Sequence, residues 1–452
     1  MDLLKKLRDR TAVVSVIGLG YAGLPLAMAF ADAGFSVLGV DVNPRRVDEL
    51  NRGESPVEDV TEERLRGHLE AGRFRASGDY AALAEADTIT ISVPTPLGPG
   101  HLPDLSFIER AVDGLVPVLR QGQLVVLEST TYPGTTEELI QPRLEAGGRR
   151  AGHDFFLGFG PERIDPGGTT SGGLTFADVP KLVAGATPRC LECVAALYET
   201  IVRRVVPVSS LKTAEMAKLV ENAFRMVNVG FANEVALWCH ELGLDAWEVI
   251  DAAATKPFGF MAHYPGPGLG GHCIPVDPYY LVWKLKTLDV PARFIELAGE
   301  VNRTMPAFVV SKVQTALERR GRPLRGSRVL VLGVAYKRDV ADTRESPSLD
   351  VLSLLIEHGA EVSYHDPHVP EVTVKLSERA LVQAGGAADK EPVQRLERVE
   401  LYPLAEQADC LVICTDHTAY DWETLASRAR LIVDTRNALR SVAAPRAEVV
   451  KL

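Results

Sequence analysis

A chain of 452 residues, 46% hydrophobic and 24% charged, has the composition of a folded globular protein and exceeds what one core usually supports, so two or three domains are expected. Its formal net charge of −11 opposes a nucleic-acid partner, whose phosphates the overall field repels, while a phosphorylated small molecule needs only local cations. The opening MDLLKKLRDR lacks the apolar stretch of a signal peptide, and no run approaches the roughly 18 apolar residues of a membrane span; six scattered cysteines without a framework suit a reducing, cytoplasmic setting.

In chain order, TAVVSVI (11–17) reads as a buried strand, and GLGYAG follows at once. Gly18, Gly20 and Gly23 match G-x-G-x-x-G, LPLAMAFADAG continues with helical periodicity, and a second strand, FSVLGVD, ends in Asp41. Each part has a job at a dinucleotide. The first glycine makes the turn, the second admits a pyrophosphate to the helix N-terminus, and the third seats helix on strand; the acid takes the ribose hydroxyls. Asp41 repels a 2′-phosphate, which favours NAD over NADP. Arg46, five residues on, reads equally as a cover for the adenine or ribose edge and as a solvated helix charge.

Strand and helix then alternate. ADTITISVPTP (86–96) and QLVVLESTTYPGTT (123–136) are strands ending in punctuated loops at their carboxyl ends, where ligands bind in open α/β sheets. FFLGFGPERIDPGG (155–168) places Glu162, Arg163 and Asp165 in a third such loop, a site or a solvated turn. Cys190 and Cys193 form a C-x-x-C without the second pair a zinc site needs, so they read as small core residues on one helix face, and no metal is expected. Residues 209–242 carry a long 3.6 period without proline, capped by Ser209 or Ser210. Ala217, Val220, Phe224, Val227 and Phe231 form an apolar face suited to a subunit contact, and Lys218 and Asn222 share another face.

Residues 265–278, PGPGLGGHCIPVDP, form a rigid, backbone-lined loop presenting Cys273 beside His272 and near Asp277. Cys273 is therefore a candidate nucleophile; the alternative is a buried structural thiol. More helix is expected over 279–318. From residue 326 the first pattern repeats: VLVLGVAYK is similar to VVSVIGLGY, and GAEVSYHDPHVP ends in Asp366 as the earlier strand ends in Asp41. ADCLVICTDH and LIVDTRN match ADTITISVPT and LVVLEST. The second copy has GVAYK in place of the full glycine fingerprint and offers Lys337, Arg344 and Arg436 at its strand ends, cations suited to a nucleotide diphosphate. The expected architecture is α/β: two Rossmann-like doubly wound domains, NAD-binding at 1–208 and, at 319–452, a second nucleotide-binding copy. A central helical dimerisation region, 209–318, joins them by its long helix and carries the cysteine loop.

These motifs, in order GLGYAGLPLA, VPTP, ESTTYPGTT, GPERIDPG, TAEMAKLVENAFR, ATKPFGF with YPGPGLGGHCIPVDP, and AYKRDVADTRESP, cover nearly the whole chain and resemble the nucleotide-sugar dehydrogenase family, enzymes that oxidise UDP-sugars twice at C6. ESTTYPGTT, PERIDPG and KPFGF look like the branch acting on UDP-N-acetylhexosamines, with UDP-N-acetylglucosamine first. The same chemistry on UDP-glucose, UDP-N-acetylgalactosamine or UDP-N-acetylmannosamine is the nearest alternative. By this resemblance Cys273 is the nucleophile, Lys218 and Asp277 the paired acid–base groups, and Asn222 the carbonyl-oxygen partner. Glu162 serves thioester hydrolysis and Thr130 lies near the reacting water. NAD contacts fall on Gly18, Gly20, Tyr21, Ala22, Gly23, Asp41, Arg46, Thr95, Thr130 and Arg344. UDP-sugar contacts fall on Glu162, Arg163, Lys218, Asn222, Tyr264, Gly266, Gly268, Gly270, Lys337 and Arg436, and a homodimer through the central helices is implied. Ala262 and His263 depart from the pattern, where relatives tend to carry proline and an aromatic residue, as does Gly160, where serine is frequent; His263 reads as a pocket-wall or surface residue.

A two-electron hydroxyl dehydrogenase of the 6-phosphogluconate type shares the layout but has no use for a loop cysteine. A catalytically silent nucleotide-sugar binder needs none of the acid–base groups.

Overall fold

The computed structural model describes residues 2–57, 59–163, 175–376 and 393–452; Asp165 lies outside the described residues. The chain forms two compact units, Met1–Glu221 with Tyr279–Pro291, and Asn222–Pro278 with Ala292–Leu452. Among the described residues no helix is long and apolar enough to cross a membrane.

In the first unit the apolar runs become strands, the central ones buried on both faces, as parallel strands covered by helices must be. They are β1 (Val13–Ile17), β2 (Ser36–Val40), β3 (Phe74–Ser77) and β4 (Thr88–Ile91); after a small hairpin, β5 (Leu97–Gly98) with β6 (Leu102–Pro103), come β7 (Leu124–Leu127), β8 (Phe156–Phe159), β9 (Lys181–Gly185) and β10 (Val205–Pro207). The sheet order is β10-β9-β8-β7-β4-β1-β2-β3, parallel throughout except where β9 meets β8. Alternate residues feed opposite faces. Val14 and Val16 join Leu26, Phe30 and Phe35 on one side, and Ile17 joins Val40, Ile91 and Leu127 on the other. Because β1 lies between β2 and β4, the chain reverses direction across the sheet there, and a crevice opens at the carboxyl ends.

The second unit repeats the plan with β11 (Arg328–Leu332), β12 (Glu361–His365), β15 (Cys410–Ile413), β16 (Leu431–Asp434) and β17 (Glu448–Lys451), all parallel in the order β12-β11-β15-β16-β17. An antiparallel ribbon, β13 (Glu371–Lys375) with β14 (Val393–Glu397), stands apart from that sheet. The fold class is thus the expected one, an α/β chain with two Rossmann-like sheets.

The long helix is Leu211–Leu242, capped by Ser210, whose Oγ accepts the Thr213 N–H at 3.1 Å. Val220, Phe224 and Phe231 of its apolar face are exposed on the single chain, as are Met216 and Trp238. The helix expected over 279–318 is two, Asp277–Lys286 and Arg293–Arg319. Asp289 adopts φ 57° between them, and Pro291 drives its predecessor away from helical geometry, so the chain must turn before it resumes. Cys190 and Cys193 lie fully buried on the helix Pro188–Tyr198, where burial pushes the Cys193 thiol up to about 12.

Candidate active site

The first unit's glycine turn is built by contact distances. A Cβ on Gly18, at φ +90°, would lie 2.2 Å from the Ser92 carbonyl oxygen, and one on Gly23 only 1.8 Å from that of Gly18. Neither position admits a side chain. A Cβ on Gly20 would meet nothing within 4 Å, so its bareness serves whatever approaches from outside. The helix Gly23–Asp32 starts with no side-chain cap, with exposed Tyr21 and Ala22 leading into it; its Leu24 N–H donates to Gly20 O at 3.0 Å. Asp41 ends β2, accepting the Leu19 N–H (2.9 Å) and Asn43 N–H (2.9 Å), with the Arg46 guanidinium 3.2 Å away. Arg46 is thus anchored at the acid. The open face at Gly20, uncapped helix start and strand-end carboxylate fit a dinucleotide. Thr95 lies partly buried in the loop after β4, and Ser129 clamps that loop to the end of β7 by accepting the Val93 N–H and donating to Val93 O.

Thr130 follows Ser129 and is partly buried. The turn beyond it is fastened to the long helix by Glu215, which accepts N–H groups from Gly134 (2.5 Å) and Thr136 (2.9 Å) and the Thr136 hydroxyl (2.7 Å). Burial raises this carboxyl to about 7. Lys218, buried, lies three residues beyond Glu215 on the same helix, so one clamp holds the segments carrying Thr130 and Lys218. Glu162 and Arg163 follow β8. The Arg163 guanidinium pairs with Glu221 (2.7 Å) and donates to Pro180 O (2.6 Å), while its backbone N–H donates to Glu162 (2.7 Å). Behind Glu162 stands a buried ion pair absent from the sequence reading: Lys181 with Glu128. A Cβ on Gly160 would come within 2.9 Å of the Tyr198 ring, so glycine there makes room for the tyrosine where relatives of the family pattern carry serine.

In the second unit the cysteine loop packs by its glycines. The Gly266 N–H donates to Asn233, itself bonded to Asn302, and a Cβ on Gly266 would lie 2.7 Å from Arg436 Nη1. On Gly268 it would meet Pro347, and on Gly270 the Glu345 carbonyl and Tyr336. Gly271 N–H donates to Arg344 O at 3.1 Å. The loop is therefore brought against the segment 336–347, which carries Lys337 and Arg344, and against Arg436. Arg344, expected at the dinucleotide, belongs to this second unit, where it pairs with Asp342 (2.6 Å) and donates to His272 Nδ1 (3.1 Å). The Lys337 ammonium lies over the Tyr336 ring, and Arg436 donates to Asp416 (3.4 Å). Tyr264 is exposed, its hydroxyl donating to Asp251 at 2.6 Å, and His263 bonds the Met261 carbonyl at the edge of Phe224.

Cys273 is half-buried, one turn ahead of the helix Asp277–Lys286; its carbonyl accepts the N–H groups of Val276 (3.1 Å) and Asp277 (2.8 Å). Asp277 accepts from Asn222 Nδ2 at 2.6 Å, and both are buried. Chain spacing did not foresee this pair. The strand-end acid Asp366 is spent internally: it accepts N–H groups from Val334, Ala335, His368 and Val369 and bonds His417 Nε2 at 3.0 Å. Asp339, His368 and His417 bring possible ligand atoms within 4.8 Å of one another. The Nδ1 lone pair of His417 already accepts the Asp339 backbone N–H at 3.0 Å, so the trio serves as a clamp between loops.

Models of the UDP-glucose/GDP-mannose dehydrogenase family match along the chain: the NAD binding domain at residues 12–202, the central domain at 212–304 and the UDP binding domain at 330–441. UDP-N-acetyl-D-mannosamine dehydrogenase of Pyrococcus horikoshii is 34% identical over 94% of this chain and 96% of its own. NDP-N-acetyl-D-galactosaminuronic acid dehydrogenase of Ralstonia solanacearum is 34% identical over 96% and 98%. Among solved structures, UDP-D-ManNAc dehydrogenase from Pyrococcus horikoshii superposes with a TM-score of 0.84 at 33% identity, covering 97% of this chain and 98% of that one. A UDP-glucose dehydrogenase from Pyrobaculum islandicum gives 0.80 at 30%, covering 97% of each. The chain belongs to the UDP-glucose/GDP-mannose dehydrogenase family and is an NAD-dependent UDP-sugar dehydrogenase.

Proposed function

We propose that the protein oxidises a UDP-N-acetylhexosamine at C6 in two successive two-electron steps, giving the uronic acid. The observation that carries this reading is the second unit's loop. It presents the Cys273 thiol one turn from the buried Asn222–Asp277 pair, on a glycine-lined backbone packed against Arg436 and the segment bearing Lys337. A simple hydroxyl oxidation has no need of such a thiol.

The Lys337 and Arg436 cations hold the diphosphate and uridine side of the substrate, with Arg163 and the backbone at Tyr264, Gly266, Gly268 and Gly270 around the sugar. NAD, held by Gly18, Gly20, Gly23, Asp41, Arg46 and Thr95, with Tyr21, Ala22, Thr130 and Arg344 as further contacts, supplies the hydride acceptor for both oxidations. Lys218 and Asp277 manage the C6 hydroxyl proton in the first. The Cys273 thiolate then adds to the aldehyde carbon, and Lys218 and Asn222 stabilise the resulting oxyanion, an effect of roughly 3–4 kcal/mol per well-placed donor. The second oxidation leaves a thioester on Cys273. Water, placed near Thr130, bonds to the thioester carbon and gives its proton to Glu162; the C–S bond breaks and Cys273 departs as thiolate. Covalent capture retains the aldehyde between the two oxidations.

The sequence resemblance put the gluco epimer first, whereas the two sequence relatives compared above are named for N-acetylated manno and galacto sugars; the Pyrobaculum structure is named for UDP-glucose, which has no acetamido group. The exposed stripe of Met216, Val220, Phe224, Phe231 and Trp238 supports a homodimer through the long helix. Reliance on a reactive thiol supports a reducing, cytoplasmic setting. NADH formation measured with UDP-glucose and the UDP-activated N-acetyl derivatives of glucosamine, galactosamine and mannosamine tests the assignment. At least one acetamido sugar is expected to exceed UDP-glucose in kcat/KM by tenfold or more; equal rates on all four would overturn it.

A further inference from the structure

Behind Glu162 the first unit buries more charge than its fold requires. Lys181, at the start of β9, is almost wholly enclosed; its ammonium pairs with Glu128 Oε1 and stands 3.6 Å from Glu162 Oε2. Tyr198, from the helix Pro188–Tyr198, donates its hydroxyl to the same Glu128 oxygen at 3.4 Å, and the Lys181 ammonium lies 4.7 Å from the centre of its ring. One cation thus serves two carboxylates, Glu128 sealed at the end of β7 and Glu162 partly open to solvent. Arg163 completes the charged surroundings, its guanidinium committed to Glu221 and Pro180.

We propose that Lys181, anchored by Glu128 and Tyr198, is a positioning residue for Glu162 in thioester hydrolysis, holding that carboxylate ionised and aimed so that it accepts the proton of the attacking water. The proposal rests on the reading of Glu162 given above. Two carboxylates drawn to one ammonium in a dry setting repel each other, and the shared Lys181 cation offsets that repulsion and fixes where the Glu162 carboxylate sits. Burial, with Glu162 adding to it, lifts the Glu128 carboxyl to about 7 despite the opposing effect of Lys181, a sign of how finely this charge is balanced. The two neighbours of Glu162 therefore act on its carboxylate with opposite sign: the Lys181 cation attracts it, and the Glu128 carboxylate repels it.

The test is single-turnover oxidation of a UDP-N-acetylhexosamine with NAD across pH 5–9, with acid quenching and mass measurement of the Cys273 peptide. For K181M the first NADH is expected to form within threefold of the wild-type rate. Its thioester should persist at least tenfold longer, and the pH midpoint of hydrolysis should rise by a unit or more; K181R restores both. E128Q should move the midpoint down. Equal slowing of both half-reactions in K181M, or a midpoint shift of the same sign in K181M and E128Q, would overturn the proposal; E128Q alone decides by the sign of its shift if K181M does not fold. Failure of the underlying reading looks different: E162Q would then leave the thioester lifetime unchanged.

Discussion

The two Rossmann-like sheets begin alike and then part. Gly18 and Gly333 both take positive φ after the first strand of their sheets, donate to the neighbouring strand (Val40 O at 2.8 Å, His365 O at 2.9 Å), and press on the backbone following the next strand. The residue after each donates its N–H to the strand-end acid: Leu19 to Asp41, Val334 to Asp366. Beyond that point the first copy has Gly23 packed on Gly18 and starts its helix at once, whereas the second delays its helix to Pro347. The intervening loop carries Lys337 and Arg344. Asp41 remains at the rim of its turn with Arg46 at its side; Asp366 is sealed, with four backbone N–H groups and His417 upon it. Burial opposes the charge on Asp366, but His417 and those N–H groups outweigh it and hold the carboxyl at about 2. The same acid at the same strand end is the proposed ribose contact in one copy and an internal fastening in the other. Its neighbours decide which.

Changing Gly23 breaks that contrast most severely. G23V places carbon against the Gly18 carbonyl, and NAD affinity measured by calorimetry is expected to fall by a factor of a thousand or more, about 4 kcal/mol, while UDP binding to the second unit persists. D366N should cost the second unit about 2–3 kcal/mol in denaturant unfolding, the range for bonds to a charged buried acceptor, and leave NAD affinity unchanged. The pH dependence has a defined sign. Since the folded carboxyl lies below its ordinary 3.8, its stabilisation is complete above pH 4 and is lost as pH falls through about 2. An acid-unfolding comparison of D366N with wild type should show the difference vanish over that window. D41N removes the charge proposed to face the ribose, and a tenfold rise in NAD Kd, about 1.4 kcal/mol, is expected. The smallest effect is G20A, where a Cβ meets no protein atom: the unfolding midpoint should stay within roughly 0.5 kcal/mol of wild type, while NAD binding weakens severalfold.

The glycine fingerprint and Asp41 were legible because local spacing alone imposes their geometry, and the internal repeat was legible because apolar runs recur in the same order. The different fate of Asp366 was not, since His417, its decisive partner, lies 51 positions away. The same distance problem hid Lys181 from Glu128, 53 positions apart, and Asn222 from Asp277, 55 apart. A charged residue closing an apolar run, Glu128 after LVVL or Lys181 before LVAG, is the one local signal that buried pairing would have offered. The break between the two later helices was written in LDVPA, where proline outweighs an otherwise continuous helical pattern.

The central claim is that Cys273 turns one oxidation into two, and NADH yield from limiting sugar in excess NAD tests it most directly. The wild-type protein should form two NADH per UDP-N-acetylhexosamine consumed, and C273A should form no more than one, with no uronic acid. One NADH per sugar from the wild-type protein, or two from C273A, would contradict it.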